Sequence, residues 1–154
     1  MPPQVYNVLF VCADDSARGI IAQAILNRWA GDRFRAWYTT GEAAEVNPLA
    51  VELLKSHQLW NAQRGAQGEQ FTASATPPMD FVISVGAKLP ESLWSRFSAS
   101  SVKAQWRITD PVAVKGDPVR CKSAFRRSFT ELENRIKLFV LAWGNSFKSR
   151  RLAA

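Results

Sequence analysis

Apolar residues follow two rhythms along this chain. Residues 5–11 (VYNVLFV) form an almost unbroken apolar run rich in β-branched and aromatic side chains, the signature of a central strand covered on both faces. From residue 16 to residue 30 the spacing changes. Ala17, Ile20, Ile21, Ala24, Ile25 and Leu26 recur at helical intervals, and Gly31-Asp32 ends the segment. Residues 34–39 (FRAWYT) predict a second strand, stopped by Thr40-Gly41. Asn47-Pro48 predicts a helix start, with Asn as N-cap and Pro at the first helical position. Leu49, Val51, Leu53 and Leu54 continue that helix, which should end near His57. Residues 58–78 are polar and read as loop, with room for one short helix. Residues 79–85 (MDFVISV) predict a third buried strand, Leu89-Pro90-Glu91 a short helical turn, and residues 102–108 (VKAQWRI) a fourth strand. Asp117-Pro118 repeats the helix-start signature. The final helix then places Phe125, Phe129, Leu132, Ile136, Phe139, Val140 and Trp143 on one face. Its tail, residues 148–151, is expected to fray.

Strands alternating with helices predict a parallel sheet with helices on both faces. Right-handed crossovers restrict the topology. The expectation is an α/β fold, a flavodoxin-like three-layer sandwich whose four-stranded parallel sheet runs in the order 2-1-3-4. No repeat or linker divides the 154 residues, so a single domain over 1–154 is expected.

Composition narrows the partners. No apolar run approaches the roughly 18 residues of a membrane span. Met1-Pro2-Pro3-Gln4 lacks a basic targeting region, so a cytoplasmic protein is expected. The two cysteines, Cys12 and Cys121, stand far apart and suggest no disulfide framework, which suits a reducing compartment. The net charge of +7, much of it on the final helix, is not accompanied by a helix-turn-helix, zinc-finger or single-strand-binding pattern. An anionic substrate is therefore favoured over nucleic acid. No His/Cys/Asp/Glu group has metal-ligand spacing, and no metal or cofactor is expected. His57, the only histidine, is assigned to the last carbonyls of its helix. Trp37, Trp60 and Trp94 are candidates for the rim of a site.

The chemistry concentrates after the first strand, where ligands of open α/β sheets bind. The segment is Cys12-Ala13-Asp14-Asp15-Ser16-Ala17-Arg18, with five residues between Cys and Arg. Backbone N–H groups of Ala13, Asp14, Asp15, Ser16 and Ala17 can curl around a tetrahedral oxyanion while the following helix aims its positive end at the same point. Arg18 adds a planar fork matched to two anion oxygens. All three depress the pKa of Cys12, whose thiolate is then a nucleophile toward phosphorus or arsenic.

The run NVLFVCADDSARGIIAQAILNRW resembles the N-terminus of the low-molecular-weight protein tyrosine phosphatases and of the arsenate reductases that share their fold. Similar stretches follow in order: Thr40-Gly41, Asn47-Pro48-Leu49-Ala50, Asp80-Phe81-Val82-Ile83-Ser84-Val85, Trp106-Arg107-Ile108-Thr109-Asp110-Pro111, and the closing helix with Ala124-Phe125-Arg126 and Asn134-Arg135-Ile136. The resemblance implies that Cys12 is the nucleophile and Arg18 the oxyanion clamp. It further implies that Asp110 is the general acid, protonating the leaving oxygen and later activating water. Without it, Asp110-Pro111 reads as a turn or capping Asp.

The loop departs from the family pattern. Asp15 replaces a usual Asn, Asp14 stands where Gly is common, and Gly19 replaces a Ser that donates to the thiolate. A like charge about 6 Å away costs on the order of 3 kcal/mol at an effective dielectric of about 20, unless the side chain points into water. The C-terminal half is closer to the arsenate-reductase branch, yet Gly86 stands where the first relay cysteine belongs and the second is absent. The leading expectation is phosphate-monoester hydrolysis through Cys12. The alternatives are arsenate reduction with an external thiol, and an oxyanion-binding domain without turnover. Phosphate, arsenate or a phosphorylated substrate is the expected partner in each.

Overall fold

The computed structural model describes residues 5–12, 17–40, 46–60, 78–86, 91, 97 and 99–153. Four parallel strands, β1 (Tyr6–Cys12), β2 (Phe34–Thr40), β3 (Phe81–Ser84) and β4 (Val102–Gln105), form one sheet in the order β2-β1-β3-β4. The strand order is the one the alternation of elements predicts. Being parallel, all four strands end at the same edge of the sheet. In register, Cys12 lies beside Thr40, and Ser84 beside both Val11 and Gln105.

The helices are α1 (Arg18–Ala30), α2 (Pro48–Ser56) and α3 (Pro118–Ala153). Period-2 alternation assigns the two faces of the sheet. Val8, Phe10, Cys12, Phe34, Ala36, Tyr38, Phe81 and Ile83 share one core cluster with α1, α2 and the inner stripe of α3. Leu9, Val11, Trp37, Met79 and Val82 form a second cluster on the other face, with Phe97 packed against it. The three described helices all join the first cluster. The segments expected to cover the second face lie largely outside the described residues. Trp37 belongs to that second cluster and donates its indole N–H to Asn7 Oδ1 at 3.2 Å. It is therefore a core residue and not part of a rim, because alternation points it away from the Cys12 face.

Helix α1 is buried almost from end to end: Arg18 through Leu26 are all inaccessible. Its polar residues are spent on the edge strand, with Asn27 accepting from Ala36 N–H and Gln23 donating to the Ala36 carbonyl. Helix α2 begins as the sequence indicates, Asn47 Oδ1 accepting from Leu49 N–H at 2.9 Å with Pro48 following. It closes on Gln58, which takes a left-handed φ of 59° while Leu59 N–H returns to the Leu54 carbonyl. The His57 ring does not serve as a carbonyl cap. It stacks on Phe129 at a ring distance of 4.1 Å, and the backbone N–H of His57 closes the helix instead. Trp60 packs against the main cluster with Lys55 Nζ over its ring at 5.9 Å. Trp94 lies outside the described residues.

Four elements differ in extent from the pattern-based expectation. Strands β3 and β4 are four residues each, because β4 pairs only along β3. The last ladder bond runs from Trp106 N–H to the Ser84 carbonyl at 2.7 Å. Residues 106–110 then leave the sheet. The apolar side chains Trp106 and Ile108 are buried for a different reason, packing under α3. Helix α1 starts at Arg18 rather than residue 16, and α3 continues as helix through the segment expected to fray.

Candidate active site

The site is built where β1 ends and α1 begins. Cys12 is the last residue of β1 and is fully buried. Ala17 occupies the N-cap of α1 at φ −120°, is buried, and supplies no side-chain acceptor to the first turn. The first-turn N–H groups thus have no cap from that residue. N–H groups at a helix start, which lack an intrahelical acceptor, are the groups that can hold an anion. Gly19 shows how tightly this turn sits on the cysteine. A Cβ placed there would lie 3.6 Å from Cys12 Cβ and 3.5 Å from Tyr38 Cβ. A side chain fits at that distance, so Gly19 is not required by crowding. Ala13, Asp14, Asp15 and Ser16 lie outside the described residues, and with them the interior of the loop.

Arg18 is 3% exposed. Its guanidinium reaches across from α1 to the chain leaving β4, where Nη1 donates to the Ile108 carbonyl at 2.8 Å. Nη2 lies 3.9 Å from Asp110 Oδ2. A buried guanidinium needs such partners, since a charge without them costs several kcal/mol. Asp110 makes two contacts. One carboxylate oxygen accepts from Val112 N–H at 2.9 Å and caps the 3₁₀ turn Pro111–Ala113; the other faces Arg18. The Asp110 side chain keeps 35% of its surface exposed, so it can reach both solvent and a bound group.

Three neighbours of this site were not singled out in the sequence. Thr109 N–H and hydroxyl donate to the two carboxylate oxygens of Glu131, each at 2.8 Å. Ser128 Oγ donates to the Thr109 carbonyl at 2.6 Å. Partial burial works to raise the pKa of Glu131. The two Thr109 bonds and the nearby Arg127 outweigh it and hold the carboxyl below its ordinary range. Only the i, i+3 spacing of Ser128 and Glu131 on the inner side of α3 hints at this in the sequence.

The second cysteine lies elsewhere. Cys121, half-buried in the first turns of α3, donates its thiol to the Val114 carbonyl at 3.3 Å, and the two cysteines form no disulfide. Gly86 follows β3 at the position where an internal thiol relay would need a cysteine. Among the described residues, no three His, Cys, Asp or Glu side chains group as metal ligands. Among them also, no helix is long and apolar enough to cross a membrane.

The chain is thus a parallel α/β sheet of order 2-1-3-4 with a Cys and an Arg bracketing the first strand–helix junction and an Asp facing that Arg. The chain belongs to the low molecular weight phosphotyrosine protein phosphatase family, whose model matches residues 7–149. Solved structures share the fold. An arsenate reductase from Archaeoglobus fulgidus is 24% identical, covers 86% of this chain and 98% of its own, and superposes with a TM-score of 0.62. An arsenate reductase in a phosphate-binding state is 17% identical, with 90% and 98% coverage and a TM-score of 0.65. The low molecular weight protein tyrosine phosphatase of Streptococcus pyogenes is 15% identical, with 90% and 93% coverage and a TM-score of 0.61. No curated protein matches this chain significantly.

Proposed function

We propose that this chain, as one low-molecular-weight phosphatase-like domain over 1–154, hydrolyses phosphate monoesters through Cys12. The observation that carries the reading is the Arg18–Asp110 approach of 3.9 Å at the end of the sheet where Cys12 lies. Phosphate oxygens would sit among the loop N–H groups and the Arg18 fork. Cys12 Sγ attacks phosphorus and the bond to the leaving oxygen breaks, while protonated Asp110 gives that oxygen its proton. Water then attacks the phosphocysteine. Its proton passes to the Asp110 carboxylate, the P–S bond breaks, and phosphate leaves. The work belongs to a reducing, cytoplasmic compartment, where the thiol survives.

Hydrolysis of an aryl phosphate at pH 5 to 7, abolished by Cys12→Ser, is the expected result. A pure wild-type protein without turnover overturns the reading, and phosphate protection against unfolding in that protein would identify an oxyanion-binding domain. The Archaeoglobus fulgidus relative favours a second reading, arsenate reduction at the same loop. With Cys121 as the one other thiol of the chain, bonded to Val114, the second thiol of that two-electron step would come from an external small thiol. Arsenate-dependent oxidation of such a thiol separates the two readings.

A further inference from the structure

We infer that Glu131 and Ser128 of α3 are positioning residues for the site, acting on Asp110 through Thr109; the inference rests on the phosphatase reading. Thr109 stands between the two groups that face Arg18. On one side the Ile108 carbonyl accepts from Arg18 Nη1, and on the other Asp110 Oδ2 faces Nη2. After the Trp106 N–H bond to Ser84 the chain leaves the sheet, and among the described residues no ladder bond fixes residues 107–110. Their place is set by α3 instead. All three polar groups of Thr109 are taken: N–H and hydroxyl by the two oxygens of Glu131, carbonyl by Ser128. A two-oxygen acceptor with an N–H and an O–H on it fixes orientation as well as distance. Ser128 is fully buried and rigid in the helix, so the clamp transmits the position of α3 to the peptide unit before Asp110.

The chain spends more on Thr109 than docking alone requires. Trp106 and Ile108 already pack the segment under α3. Three short bonds on a single residue fix the peptide units that lead to the next carboxylate and come from the preceding carbonyl. A general acid needs that placement, since a shift of about 1 Å costs up to about 100-fold in rate. Arg127 Nε lies 3.5 Å from Glu131 Oε1 and keeps that carboxylate ionised as an acceptor.

The test compares two esters that differ in their need for a proton. Phenyl phosphate needs the general acid, whereas p-nitrophenyl phosphate expels a stabilised phenolate. Glu131→Ala and, as a second and milder variant, Thr109→Val are expected to lower kcat/KM for phenyl phosphate by about 10- to 100-fold. For p-nitrophenyl phosphate the loss should be no more than about 3-fold. In an Asp110→Asn background the same changes should add almost nothing, because the group they place is already gone. Equal losses on both esters, or full additivity with Asp110→Asn, would overturn the inference while leaving Cys12 chemistry intact. A wild type inactive on both esters overturns the phosphatase reading itself, and the inference with it.

Discussion

Gly19 is the residue where the loop can be tuned. It sits directly on Cys12, and a Cβ would meet only ordinary contacts of 3.5 to 3.7 Å. A serine here would bring a hydroxyl beside the Cys12 side chain. Gly19→Ser is therefore expected to shift the Cys12 titration, followed by thiolate absorbance, to lower pH, and to raise kcat/KM for an aryl phosphate several-fold. It should also stabilise α1 by about 0.5 kcal/mol, since Gly is the costlier helix residue. An unchanged titration would show that the hydroxyl cannot reach the sulfur. At this scale the sequence was legible where a motif names its residues. The strand–helix junction that carries Cys12 and Arg18 is read from one short string, and the capping role of Asp110 was open from its dipeptide. Trp37 and His57 were misplaced because neither face nor stacking partner is encoded locally. Strand alternation sends Trp37 to the second core cluster, and Phe129, seventy-two residues away, takes the His57 ring.

Helix α3 is the element that joins the end of β4 to the site. Its N-terminus was legible: Asp117 Oδ1 accepts from Val119 N–H at 2.9 Å, as the Asp-Pro pair indicates. Its inner stripe was legible too, since Phe125, Phe129, Leu132, Ile136 and Phe139 are all buried. The Thr109 clamp was not, because it depends on the chain leaving the sheet after Gln105, and strand propensity alone continues β4 through Ile108. The clamp has a pH signature. The folded pKa of Glu131 is lowered, so the unfolded chain binds the proton first. The stability it contributes is complete above the unfolded value, about 4.3, and is lost as pH falls through the folded value. Urea unfolding of Glu131→Gln should therefore depend less on pH than wild type between about pH 5 and about pH 3. Parallel curves would mean that the carboxylate does not carry the clamp.

Over the whole molecule, topology was the most legible feature, because alternating strands and helices with right-handed crossovers leave few arrangements. Charge was legible in amount but easily over-read. Helix α3 carries nine Lys and Arg and two Glu, a balance equal to the net +7 of the entire chain. In the proposed function the attraction for an anion would therefore rest on Arg18 and the first turn of α1 rather than on overall charge. The fold then has one consequence: four parallel strands bring Cys12, from the start of the chain, and Asp110, ninety-eight residues later, to the same edge, with Arg18 as the link. The most direct test of that account is rapid acid quench of the wild-type protein turning over an aryl phosphate, with the phosphate located by mass spectrometry. The account predicts phosphate on the sulfur of Cys12, and none in Cys12→Ser. Turnover that leaves Cys12 unmodified at every quench time and survives Cys12→Ser would contradict it.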